Sequence, residues 1–310
     1  MKSLSSFTRV LTVLLFGASL IMVSCKKEGS TIGTPAEQEE FASATSESDA
    51  EAEVVFDDVF DNIVGVDTEV GLGGTGVFGG ANYSVGVGQE AINGINGPAG
   101  LDSNRCFTVT YTQLAAPNRF PLKVVLDFGT GCPGRDGRIR KGKVVTIYTG
   151  PLFIPGNSTT TTFDGYYVDS IHVEGTHKVS NNSTQSSRVF KVQVIGAKLT
   201  KPNGNFAEWN SEKTHTQIEG LGTPIFPLDD IFKLEGQANG SAKRGDKFFQ
   251  WSKIITEPLI KKFTCRWFVK GTVVMRKSNN KVAELNYGTG TCDNKATLTV
   301  NGVSREITLH

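Results

Sequence analysis

The sequence predicts an all-β body, a long antiparallel meander, sandwich or open barrel, preceded by a signal peptide and a short acidic helix. Three observations predict it. After residue 100, runs of alternating polar and apolar residues follow one another with Asn, Asp, Gly and Pro between them. Helical periodicity is confined to one acidic stretch upstream of these runs. Hydrophobic residues make up 38% and charged residues 20% of a 310-residue chain, enough for a sizeable core, and the 35 glycines suit many tight turns.

The strand-like runs lie near 105–113, 120–128, 137–148, 158–164, 166–180, 186–199, 205–218, 230–239, 246–256, 264–276, 281–287, 295–300 and 303–309. Hairpin turns are expected at Arg135-Asp136-Gly137, Pro202-Asn203-Gly204, Arg244-Gly245-Asp246, Ser278-Asn279-Asn280 and Asn301-Gly302. Alternation such as Phe190, Val192, Val194 or Ala296, Leu298, Val300 fits sheets with one wet face.

Upstream, Lys2 and Arg9 flank the start of a short apolar run, Val10 to Val23, which suits a signal-peptide core and is short for a spanning helix. The run ends at Met22-Val23-Ser24-Cys25, which resembles the lipobox of bacterial lipoproteins. That resemblance implies removal of residues 1–24 and lipidation (palmitate among the acyl chains) of Cys25, with the membrane as partner through the anchor. Lys26 in place of Asp implies the outer membrane and leaves the leaflet open. Residues 25–48 then read as lipidated Cys and flexible tether, 49–100 as acidic helix and Gly-rich segment, and 101–310 as the β body.

Between Pro35 and Val70 stand twelve acidic residues and no Lys or Arg. Phe56, Val59, Phe60 and Ile63 mark one apolar helix face, so a helix is expected over 49–64, capped by Ser48 or Asp49, with an acidic outer face. Residues 101–310 hold 28 Lys and Arg against 17 Asp and Glu. The acidic helix therefore reads as a solvated helix packed on the domain's edge, or as a docking arm for a basic partner or for this chain's own basic body. The overall charge of +1 argues against a general nucleic-acid binder.

Two Cys-bounded segments, 106–132 and 265–292, repeat one another: Leu126 matches Leu285, and Phe128 matches Tyr287. Four mature Cys permit three pairings, and the repeat favours Cys106–Cys132 and Cys265–Cys292 over a Cys₄ metal site, which lacks a Cys-x-x-Cys pair.

Chemistry-bearing patterns are sparse. The glycines of 70–100 match a dinucleotide fingerprint weakly and lack its strand–turn–helix setting, so no cofactor is expected. His172 and Glu174 share a strand face; His177 has the opposite parity unless a bulge at Gly175 reunites them. Asp229-Asp230 reads as a turn, and paired carboxylates leave an envelope hydrolase as the enzymatic alternative. Arg135, Arg138, Arg140, Lys141 and Lys143 form the sharpest basic cluster, which reads as a solvated strand edge or as a contact for anionic headgroups, acidic glycans or the acidic helix. Trp209, Trp251 and Trp267 are candidate binding residues if an aromatic line is exposed; Tyr166-Tyr167 and Phe248-Phe249 place one ring on each face of their strands.

Asp127 to Cys132, Arg138 to Thr149, Val173-Glu174-Gly175-Thr176 and Gly290 to Thr297 make the body resemble uncharacterised all-β lipoproteins of Bacteroidota-type envelopes. The resemblance implies a cell-envelope address and an all-β fold. The function expected is non-enzymatic binding or scaffolding of an envelope protein, glycan or lipid, with a lipid or glycan carrier as the alternative.

Overall fold

The computed structural model describes residues 33–64, 106–134, 137–152, 154–222, 229–278 and 280–309. The expected signal peptide, Cys25, the Gly-rich segment and Arg135-Asp136 lie outside the described residues.

One helix, α1 (Pro35–Val64), runs through the molecule. It starts well before the expected residue 49, inside the stretch read as a tether, because Thr34 and Glu37 form a capping box. The Thr34 N–H donates to Glu37 Oε2 (2.7 Å) and the Glu37 N–H to Thr34 Oγ1 (3.3 Å). Pro35 then fills the first helical position, where no backbone donor is needed.

The strands are β1 (Thr108–Ala115), β2 (Asn118–Asp127), β3 (Cys132–Pro133), β4 (Ile139–Tyr148), β5 (Ser158–Val168), β6 (Ile171–Asn181) and β7 (Val189–Thr200). They continue as β8 (Phe206–Glu219), β9 (Ile231–Arg244), β10 (Lys247–Lys262), β11 (Lys270–Lys277), β12 (Asn280–Thr289), β13 (Lys295–Val300) and β14 (Val303–Thr308). All belong to one antiparallel sheet in chain order, with β3 a short extra partner of β4. The meander expectation therefore holds, and a two-sheet sandwich does not describe the body.

The run expected over 166–180 is split by a tight turn. Asp169 (φ 48°) and Ser170 (φ 72°) both occupy the left-handed region and join β5 to β6. β10 outlasts the expected end at residue 256, because Pro258 sits where the β9–β10 register slips and needs no ladder donor. At Gly142 the neighbouring β5 carries an extra residue, and a Cβ there would collide with the Gly165 carbonyl. Such irregularities bend a sheet.

The bend turns one face of the sheet onto α1. Helix contacts extend from β4, where the Tyr148 hydroxyl donates to the Ile63 carbonyl (3.2 Å), to β14, where Arg305 meets Glu39 (2.6 Å). Phe56 lies against Trp209 and Phe163, and Phe60 among Phe190, Phe232 and Phe263. Gly240 is register partner to both Trp209 and Trp251, and its missing side chain makes room for the Trp251 ring.

The helix does not present its acidic face to solvent. Asp49, Glu53, Asp57 and Asp61 recur every four residues and so form one stripe. Three lysines meet it from inward positions of the sheet. Lys253 reaches Asp49 (2.5 Å) and Glu53 (2.7 Å), Lys213 pairs with Glu53, and Lys261 lies 3.4 Å from both Asp57 and Asp61. The Trp209 Nε1–H donates to the second oxygen of Asp49 (2.9 Å). The edge-helix and partner-docking readings are thus replaced by the intramolecular one: the helix is embraced by this chain's own basic body.

Both disulfides follow the repeat. Cys106–Cys132 closes the open end of the β1–β2 hairpin and Cys265–Cys292 that of β11–β12, with Cα separations of 5.3 and 5.8 Å. Each restricts the unfolded chain enough to contribute roughly 3–4 kcal/mol. Leu126, Leu285, Phe128 and Tyr287 are all buried, as the matched parity requires.

Removing one buried cation leaves carboxylates unpaired in the interior. Lys253→Met is expected to lower the unfolding free energy by about 3–5 kcal/mol in urea titrations. Adding Asp49→Asn and Glu53→Gln to that variant should restore part of the loss.

Candidate functional site

The outer face of the sheet carries a continuous row of side chains. Lys141, Tyr167, His172, Thr200, Phe206, Lys243 and Phe248 are successive register partners across β4 to β10. Their chain neighbours Arg140, Tyr166, Val173, Leu199, Ala207 and Ala242 are buried, which directs the row outward. At about 4.8 Å per strand the row spans about 29 Å.

Its members touch. Lys141 Nζ sits 4.0 Å from the Tyr167 ring centroid, and Tyr167 stacks on His172 at 4.6 Å. From the adjacent row Lys198 lies 4.7 Å over Phe206, whose ring meets Phe248 edge-on at 6.3 Å. Phe248 is 68% exposed. The helix residues facing the hairpin tips advance from Glu47 beside Arg244, through Glu51 beside Lys201, to Asp58 beside Arg138. Eleven helical residues make the row climb about 16 Å along the helix axis.

The basic cluster is divided by strand parity. Arg138 and Arg140 turn inward, and each places a guanidinium nitrogen 3.3 Å from Asp58 Oδ2. Lys141 and Lys143 turn outward, the latter 3.4 Å from Asp127. An exposed tryptophan line does not form: Trp209 and Trp251 are buried core residues, and Trp267 is partly buried beneath Arg266. The rings that do line the surface are outward members of the Tyr166-Tyr167 and Phe248-Phe249 pairs, together with Phe206. Alternate parity reveals the first two in the sequence; their alignment with Phe206 depends on register.

A concavity of about 280 Å³ opens between α1, the β5–β6 turn and the end of β14. Ala50, Val55, Ile171 and Leu309 line its apolar part, and Arg138, Lys201 and Glu51 its charged part. Lys201 already pairs with Glu51 (3.0 Å).

His172 Nδ1 lies 3.6 Å from Glu174 on the outer face, whereas His177 is buried on the inner face against Phe56. The extra residue of the local bulge is on β7, so β6 keeps its parity and the histidines remain apart. Among the described residues no three His, Cys, Asp or Glu side chains are grouped to hold a metal ion.

Burial dominates the internal titrations. It holds His177 neutral, with a pKa of about 3, and His215 well below the usual imidazole range, where the Lys213 charge adds to the effect. Lys213 is itself lowered by burial and then by Lys253. Burial also opposes the Lys261 charge, but Asp61, Asp57 and Asp58 outweigh it and hold that group above the ordinary lysine range. Asp230 accepts a 2.5 Å hydrogen bond from Gln217 Nε2; burial and then Asp229, opposed by Arg188, raise its pKa to about 7.

No family profile, curated protein or solved structure matches the chain.

Unfolding frees the buried histidines to take up protons, so stability is expected to fall as pH drops below about 6.5. His177 alone should contribute about 2 kcal/mol of loss by pH 5. Asp230 acts in the opposite sense, since its protonated form belongs to the fold and its contribution disappears as pH rises through about 7. Urea titrations from pH 5 to 8 check both: His177→Leu should flatten the fall in stability below about pH 6.5, and Asp230→Asn, by removing the opposing slope below about pH 7, should steepen it.

Proposed function

We propose that this chain is a lipoprotein of the bacterial cell envelope, anchored through Cys25 to the outer membrane, whose β body binds its ligand without converting it. The ligand class that suits the surface best is an extended acidic glycan. The stretch of the row from Lys141 to Phe206 carries this reading. The edges of the Tyr167 and Phe206 rings offer apolar contact to sugar rings, while Lys141 and Lys198 offer cations to acid groups along the same line. An open row on the outer face admits an extended chain.

Two further features support the address. Met22-Val23-Ser24-Cys25 closes a charged-then-apolar leader, and the remaining four Cys are paired as disulfides, which persist in oxidising compartments. Among the described residues no helix is long and apolar enough to cross a membrane.

Radiolabelled palmitate should enter the parent chain and not Cys25→Ala, and Cys25→Ala should leave the salt-washed membrane fraction. In affinity electrophoresis, a polyuronate gel should retard the body and a neutral dextran gel should not. Tyr167→Ala with Phe206→Ala should weaken that retardation at least tenfold while leaving the thermal midpoint within a few degrees. Equal migration in the two gels would rule out the acidic-glycan assignment.

A further inference from the structure

The two most exposed large apolar side chains among the described residues are Val303, at 72%, and Phe248, at 68%. They lie on different hairpins, β13–β14 and β9–β10, yet at the same end of the molecule. Lys247, beside Phe248, reaches Glu40 (2.5 Å), and Arg305, two residues past Val303, reaches Glu39 (2.6 Å). The tip of a third hairpin, β11–β12, joins them there, with Lys277 Nζ 5.4 Å over the Phe41 ring. All three tips therefore surround the first turns of α1.

The tips themselves are basic, while the helix start between them carries Glu37, Glu39 and Glu40, two of which offset Lys247 and Arg305. Residues 243–248, 276–281 and 300–305 together carry seven Lys or Arg and a single acid, Asp246. Lys247 and Arg305 are 62% and 49% exposed in their ion pairs, so water or a phosphate competes readily for them. Exposed apolar tips ringed by cations have the composition of a protein surface that rests in the headgroup layer of an anionic bilayer.

Chain length says which surface lies nearby. Only ten residues separate Cys25 from Pro35, a reach of at most about 35 Å when fully extended. A bilayer holding acyl chains on Cys25 is thus kept within that distance of the end where the tips cluster. Tethering on this scale supplies an effective concentration near the millimolar range, which lets a weak contact persist.

We infer that the rim formed by the β9–β10, β11–β12 and β13–β14 tips docks on an anionic phospholipid surface, with Phe248 and Val303 entering the headgroup layer and Lys243 and Lys277 among the cations facing phosphate. The inference rests on the anchored reading above and adds an orientation to it. The helix start faces the membrane, and the outer row climbs away from it.

The test uses residues 26–310, which contain the whole described fold, made in an oxidising compartment and carrying Phe248→Trp. Vesicles of phosphatidylcholine alone and with phosphatidylglycerol are prepared with brominated acyl chains. Trp at position 248 should be quenched on the anionic vesicles, and sedimentation should show at least tenfold tighter binding to them than to neutral ones. In the parent background, Phe248→Ser with Val303→Ser, and separately Lys243→Glu with Lys277→Glu, should each weaken binding about tenfold. These positions are exposed or partly exposed, and an unchanged near-ultraviolet circular dichroism spectrum verifies folding.

An unquenched Trp, or tip variants that bind as the parent does, would overturn the docking rim. So would sedimentation that a soluble polyuronate abolishes while the Trp stays unquenched, because the surface would then be a glycan site. Palmitate labelling separates the two claims. Labelled Cys25 with an unquenched tip removes only the rim; a quenched tip with unlabelled Cys25 removes only the anchor.

Discussion

The fold depends on ion pairing between a helix and the sheet that encloses it. An isolated helix with Asp49, Glu53, Asp57 and Asp61 on one stripe repels itself, and an isolated sheet with Lys213, Lys253 and Lys261 at inward positions strands cations on its apolar face. Each element is unsuited to its surroundings without the other. Together, the lysines satisfy the stripe while Phe56 and Phe60 bury their rings among the aromatic residues on either side. Buried ion pairs often add little net stability compared with apolar replacements. Their value here lies in register: carboxylates four residues apart accept lysines from β8 and β10 in one axial setting.

The arrangement also explains how a fourteen-stranded antiparallel sheet can have a single core. Flat, such a sheet would expose one apolar face too wide for one helix to cover. Bulged and bent, it presents Val173, Leu199, Leu234, Leu285 and Leu298, from widely separated strands, to a common interior. Charges that look like a surface cluster in the sequence are divided by that bend. Arg138 and Arg140 hold the helix through Asp58, while Lys141, one residue further, faces solvent.

Much of this was legible in the residues. Alternation located most strands, and the match between the two Cys-bounded segments selected the disulfides. The helix start was also written in the chain, as Thr34-Pro35-Ala36-Glu37, but an acidic, small-residue stretch resembles a tether unless its capping pattern is weighed. The fate of the carboxylates was harder to read. Their four-residue repeat was visible, as were Lys213 and Lys253 at the parity of Trp209 and Trp251, yet charge at core positions acquires meaning only when both sides are seen to coincide. The outer row lay further from reach, since its seven members span more than a hundred residues and align only after every bulge has set its register.

The enclosed helix has a consequence for the order in which the molecule can assemble. Asp49 waits 160 residues for Trp209 and 204 for Lys253, so the first of the described elements is among the last to find its partners. The sheet itself pairs strands that are neighbours in the chain, so these helix contacts are the long-range closures of the fold. The same carboxylates that later grip the sheet keep the waiting segment hydrated and mutually repulsive, guarding Phe56 and Phe60 against premature association. One stripe of acid thus serves first as a solubiliser of the nascent chain and then as the mould around which the completed sheet closes.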